Sequence, residues 1–229
     1  MSDHFYRSTL YPAQDRILQT IAGVNTPFYL TGGTALGRFI LNHRFSDDLD
    51  FFVNALPDFN NHVDAILEAV RMQHPELTVS MRQDSFVRIF VRESGTEVKL
   101  EFVNDVRYRV DAADRSGMGF WIDNWRNILT NKITALPRVA AKDFADILFL
   151  AIQYPFNWAE MITHARSKDA WIDEIAISQM LFNFDVSSMQ SVAFPEQFDF
   201  RQIGDHFFKT LARDALHGFD NSLVGARLA

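Results

Sequence analysis

The sequence contains no cysteine. That single absence removes disulfides, thiolate zinc sites and thiol nucleophiles, and it suits a reducing compartment. No apolar run approaches the roughly 18 residues needed to span a bilayer; Ile147-Leu148-Phe149-Leu150-Ala151-Ile152 is far too short. The first seven residues, Met1-Ser2-Asp3-His4-Phe5-Tyr6-Arg7, lack the apolar centre of a signal peptide. The expectation is a cytoplasmic protein with no membrane partner. Excess positive charge is also missing. A formal net charge of -7 argues against a general nucleic-acid coating protein, because phosphate contacts require Lys and Arg. Six of the seven histidines, His43, His62, His74, His164, His206 and His217, have no metal-ligand spacing and read as ordinary surface or core residues. Glycine and proline are modest, at 10 and 7 residues, and no Gly/Ser/Pro-rich linker interrupts the chain. What is plentiful is phenylalanine, 22 residues, and core packing is its plain reading over base stacking.

Periodicity divides the chain in two. Helical patterns at residues 12–22, 34–43 and 60–73 alternate with short apolar runs at 28–30 and 49–53. The period then changes to alternation at 77–81, 85–92 and 97–103, with Ser94-Gly95 as a tight turn and a further edge strand at 106–110. From Ile122 onward the pattern is helix after helix, near 124–136, 142–154, 157–166, 170–182 and 204–217. The expected organisation is α+β, with a mixed sheet and flanking helices over residues 1–120 and a helical bundle over 121–229.

Chemistry-bearing residues concentrate in the first part. Gly32-Gly33-Thr34 follows Phe28-Tyr29-Leu30, and a helix length later comes Ser46-Asp47-Asp48-Leu49-Asp50-Phe51-Phe52. Glycines allow backbone N–H groups to approach a phosphate, and a following helix N-terminus favours negative charge. Thr34 is a candidate N-cap and phosphate ligand. In a strand Asp48 and Asp50 share one face, with Leu49 and Phe51 on the other. Adjacent carboxylates repel, and a divalent cation relieves that repulsion. Glu101 shares a face with Lys99 in Val98-Lys99-Leu100-Glu101-Phe102. It completes a three-carboxylate cluster if its strand lies beside that of Asp48 and Asp50, and is otherwise an exposed strand face. Arg44 is either a phosphate neutraliser or a surface residue. Lys132 is either a phosphate-binding cation or part of a surface ion pair. Lys142 and Asp146 stand one turn apart and can pair, with Asp143 nearby. The constellation points to nucleotidyl transfer from a nucleoside triphosphate with Mg2+.

These residues resemble a known family. Gly32-Gly33-Thr34 with Arg44-Phe45-Ser46-Asp47-Asp48-Leu49-Asp50-Phe51-Phe52 is similar to the opening motif of the AbiEii/AbiGii-type nucleotidyltransferase toxins, within the DNA polymerase β-like minimal nucleotidyltransferase superfamily. Leu100-Glu101-Phe102 matches its third carboxylate, with Glu for the frequent Asp. Asn131-Lys132-Ile133-Thr134 and Lys142-Asp143-Phe144-Ala145-Asp146 resemble its later lysine and Lys-Asp-x-x-Asp motifs. The resemblance implies a polymerase β-like fold and a magnesium-dependent toxin that adds nucleotides, with a tRNA 3′ end as acceptor and a cognate antitoxin. It assigns metal binding to Asp48, Asp50 and Glu101, nucleotide contact to Lys132, and support from Asp146. A small-molecule acceptor, as in antibiotic adenylyltransferases, and a non-catalytic binding module are the competing readings.

Overall fold

The computed structural model describes residues 2–228. The chain forms two compact units, one of residues 2–39 and 45–124, the other of residues 125–228 together with Ile40–Arg44.

The first unit carries a seven-stranded sheet in the order β3-β4-β5-β2-β1-β7-β6. Its strands are β1 (Tyr29–Thr31), β2 (Leu49–Asn54), β3 (Leu77–Arg82), β4 (Phe86–Glu93), β5 (Thr96–Asp105), β6 (Asp114–Arg115) and β7 (Trp121–Ile122). Alternation gives β2 its two faces: Leu49, Phe51 and Val53 are buried, while Asp50, Phe52 and Asn54 are half-buried. The same alternation buries Val98, Leu100 and Phe102 of β5. Phe51 stacks on Phe102 with ring centroids 5.5 Å apart, and Phe28 packs edge-on against Phe102 and Phe59. Four of the phenylalanines, Phe28, Phe51, Phe59 and Phe102, are therefore core of this unit. Ser94 and Gly95 take positive φ of 52° and 79°, the backbone of a two-residue hairpin turn whose twist matches its strands. The edge strand expected at 106–110 does not form. Two short strands, β6 and β7, extend the sheet instead, with β7 parallel to β1.

The helices of this unit are α1 (Asp3–Phe5) running through a π-helical stretch, Tyr6–Leu10, into α2 (Tyr11–Ala22); α3 (Gly32–Thr34) with a second π-helical stretch, Ala35–Ile40; and α4 (Phe59–Gln73). The helix expected over 34–43 thus begins two residues earlier, directly after β1, and ends at Ile40. Pro12 stands where the π-helical stretch passes into α2, inside a continuous helical run, and its missing N–H withdraws one bond from that run.

The second unit consists of α5 (Trp125–Ala135), α6 (Ala141–Gln153), α7 (Trp158–Arg166), α8 (Glu174–Phe182) and α9 (Asp205–His217), with short 3-10 turns between. Pro137 ends α5 through one such turn, Leu136–Arg138. The pattern over 170–182 yields a shorter α8 because Asp173 caps it, accepting from the Ala176 N–H. Phe144, Phe184 and Phe208 form a buried aromatic cluster within this unit. Among the described residues no helix is long and apolar enough to cross a membrane.

Candidate active site

Two of the three candidate carboxylates, Asp50 and Glu101, lie side by side on the β2–β5 pair. The two strands run parallel, and their register sets Asp50 opposite Glu101. Asp48 lies just ahead of β2, and its Oδ2 is 2.9 Å from Lys99 Nζ. The same ammonium is 3.2 Å from Glu101 Oε1, which also accepts from Arg88 Nε at 2.7 Å. Lys99 therefore sits between two carboxylates whose strands the sequence placed side by side only as a condition. Burial alone pulls Lys99 down, but the hydrogen bonds and charges of Asp48 and Glu101 outweigh it and raise its pKa. The amine stays an ammonium. Among the described residues no three carboxylate or imidazole groups are gathered closely enough to form a ready-made metal cage. The donor chemistry nonetheless fits a hard divalent ion: oxygen ligands, and a cation already seated between two of them.

Gly32 sets the second boundary. It follows β1 with φ of +68°, and a Cβ built there would lie 2.7 Å from Asp50 Oδ2. Glycine is required twice, once by the left-handed backbone and once by the carboxylate. Gly95 has the same kind of backbone, φ +79°, with nothing within 4 Å of its absent Cβ. We predict that Gly32→Ala loses transfer activity and melts lower by about 5 °C or more, from a left-handed cost of about 1–2 kcal/mol plus the contact with Asp50. Gly95→Ala is expected to show the backbone cost alone and to keep its activity. Thermal melts and transfer rates of both variants check this.

The chain leading into β2 is held from several sides. Thr34 is not an N-cap: its hydroxyl donates to the backbone carbonyl of Asp48. Gln14 Nε2 donates to the Asp47 carbonyl at 2.8 Å, while the Asp47 residue itself is exposed. Tyr6 stacks on Phe45 at 4.3 Å, and the Tyr11 hydroxyl accepts from the Ser46 N–H at 3.3 Å. At the other side of Gly32, Thr31 donates to Asp123 Oδ2 at 2.6 Å, and Arg109 pairs with Asp123 Oδ1 at 2.9 Å. These bonds fix the strand end from which the Gly32-Gly33 turn departs.

Arg44, Lys132 and Asp146 belong to the second unit and form a different cluster. Arg44 is buried and grips Asp146 with two nitrogens, Nε to Oδ1 and Nη2 to Oδ2, both at 2.7 Å. Lys132 Nζ is 2.7 Å from Asp146 Oδ2 and 2.7 Å from Asp143 Oδ1. His43 Nε2 lies 2.8 Å from Asp146 Oδ1. Burial holds His43 below its ordinary pKa, against the pull of Asp146. A carboxylate only accepts, so Nε2 is the donor, and Nδ1 is buried without a hydrogen-bond partner. Two expectations are corrected. Arg44 is not a surface residue, and its guanidinium grips Asp146 where a phosphate neutraliser was one of the two readings. Asp146 does not pair with Lys142, which is exposed; it is instead fully buried under two cations and an imidazole. Lys132 likewise directs its ammonium at carboxylates of its own unit.

Sequence reading missed Lys99 as a bridge and Arg88 altogether. The signal for Lys99 was its position two residues before Glu101, on the same strand face. For Arg88 it was the hairpin turn at Ser94-Gly95, which sets Arg88 opposite Glu101.

Comparison with known proteins agrees with this architecture. A protein from H. pylori whose crystal structure is described as that of a candidate nucleotidyltransferase superposes with a TM-score of 0.62 at 20% identity, covering 95% of this chain and 96% of that one. JHP933 from Helicobacter pylori superposes with a TM-score of 0.60 at 22% identity, covering 95% and 94%. An uncharacterized protein of Aquifex aeolicus (strain VF5) is 28% identical over 168 residues, 71% of this chain and 76% of its own length. Residues 16–221 match the family described as nucleotidyl transferase AbiEii toxin, type IV toxin–antitoxin system. The chain therefore belongs to the AbiEii nucleotidyltransferase toxin family and is a nucleotidyltransferase.

Proposed function

We propose that this nucleotidyltransferase is magnesium-dependent and transfers a nucleoside monophosphate to a hydroxyl at a tRNA 3′ end. The observation that carries the reading is the register of β2 and β5, which aligns Asp50 with Glu101 beside the glycine turn and leaves Asp48 on the same side. Asp48, Asp50 and Glu101 would hold Mg2+, which supplies charge neutralisation for the triphosphate and for the phosphoryl group in transit. The chain's own groups do the rest. The N–H groups after Gly32 face the phosphates, and no Cβ at Gly32 obstructs them. The acceptor oxygen forms its bond to the α-phosphorus as the bond from that phosphorus to the bridging oxygen breaks, and pyrophosphate leaves with the electron pair. Glu101 takes the acceptor proton on Oε2, since Arg88 engages its Oε1. Membership of a type IV toxin–antitoxin family supports an antitoxin as partner.

The net charge of -7 favours one other acceptor, a small hydroxylated molecule. The test is incubation with each radiolabelled nucleoside triphosphate, Mg2+ and total RNA. Label is expected in a tRNA-sized band. Label found only on a small hydroxylated acceptor would replace tRNA by that class.

A further inference from the structure

The first 124 residues contain one lysine, Lys99, and it stands in the middle of the proposed metal site. Its ammonium bridges Asp48 Oδ2 at 2.9 Å and Glu101 Oε1 at 3.2 Å, two oxygens from chain segments that no hydrogen-bonded turn connects. Arg88 already satisfies Glu101 Oε1 at 2.7 Å, so Glu101 does not need Lys99 as its only counter-charge. Among the described residues Asp48 has no other cation within 4 Å; its side chain is 32% exposed and that of Lys99 28% exposed, so the pair is partly open to solvent, and a four-carbon stem gives the ammonium reach. A lysine is a point charge with three rotatable donors, suited both to a carboxylate pair and to phosphate oxygens.

We propose that Lys99 is a resident counter-ion: it holds Asp48 and Glu101 together in the metal-free protein, yields those oxygens when Mg2+ enters with the nucleotide, and turns its ammonium to the triphosphate. The inference rests on the reading of Asp48, Asp50 and Glu101 as metal ligands and adds a positioning residue to it. Its consequence is a pair of effects with opposite sign. Against a metal ion alone, Lys99 competes for the carboxylates. Against metal plus triphosphate, it contributes. A purely structural lysine would weaken both or neither.

Calorimetric titration separates these cases without turnover. Mn2+ alone, and then an α,β-methylene nucleoside triphosphate in excess Mg2+, are titrated into the wild-type protein and into Lys99→Met. Removing one positive charge at contact distance is expected to tighten Mn2+ about tenfold and to weaken the analogue about tenfold. Lys99→Gln, polar but uncharged, is expected to tighten Mn2+ and weaken the analogue as Lys99→Met does, and it keeps the test open should the methionine variant fail to fold, as judged by circular dichroism. Mn2+ affinity equal to or weaker than wild type in the folded variant overturns the competition. An analogue affinity equal or tighter overturns the hand-over. Asp48→Ala marks the difference from the underlying reading: if it abolishes Mn2+ binding by the wild-type frame while Lys99→Met leaves that binding unchanged, the carboxylate site stands and the role of Lys99 falls. If the wild-type protein binds no Mn2+, both fall.

Discussion

Asp48→Ala is expected to lower nucleotide transfer roughly a thousandfold while moving the melting temperature by less than about 3 °C. The two halves of this expectation come from different physics. A carboxylate that helps neutralise a triphosphate and its metal ion contributes several kcal/mol where charge is redistributed, and each 1.36 kcal/mol is tenfold in rate. Stability is another matter. The Asp48 side chain is about one-third exposed, and it pairs with Lys99 in a partly solvated ion pair, an arrangement worth about 1 kcal/mol or less. Its backbone carbonyl, which accepts from Thr34, survives the substitution. Transfer rates with a thermal melt of the same sample decide it. Retained transfer would remove Asp48 from the site, and a large fall in melting temperature would make it a structural residue.

Asp146→Ala produces the opposite profile: a melting temperature lower by about 10 °C, from a loss of about 3–5 kcal/mol. Asp146 is fully buried and receives Arg44 through two nitrogens, Lys132 and His43. Removing it leaves a guanidinium and an ammonium in the interior with one carboxylate, Asp143, beside Lys132. Acid should act on the same group. Burial alone would raise the Asp146 pKa, but the charges of Arg44 and Lys132 and the hydrogen bonds from His43 and Arg44 hold it well below the ordinary carboxylate value. Because the folded pKa lies below the unfolded one, its contribution is fully present above about pH 4. It is lost as pH falls from there through the folded pKa. Unfolding curves at pH 6 and pH 3 should therefore differ less for Asp146→Ala than for the wild-type protein. Equal acid sensitivity in the two would assign the effect to other carboxylates.

How much of this was legible beforehand follows from the range of the interactions. The faces of β2 and β5 were readable because alternation is local: Leu49 and Phe51 declare the core side, which leaves Asp48 and Asp50 opposite. The hairpin was readable from Ser94-Gly95, and its register carries Arg88 to Glu101. The pairing of β2 with β5 was not, since a parallel register is set by packing between segments some fifty residues apart in no fixed turn geometry; there it was an assumption that the structure supplies. Arg44 misled for a related reason. A basic residue four positions before an Asp-x-Asp pair looks like a phosphate ligand until its true partner, far along the chain, is in view. Val106–Val110 misled because an apolar alternation is not a strand without an edge to pair with.

The grouping of Ile40–Arg44 with the helices has a consequence for the order of synthesis. A nascent chain that has reached Asn124 carries all seven strands, the glycine turn and every carboxylate of the proposed metal site. The segment just before Asp48 is still untied at its Arg44 end, for Asp146 lies 102 residues further on. Translation must therefore run through α6 before the buried clasp can shut, and no single cut separates a complete catalytic piece from a complete helical one.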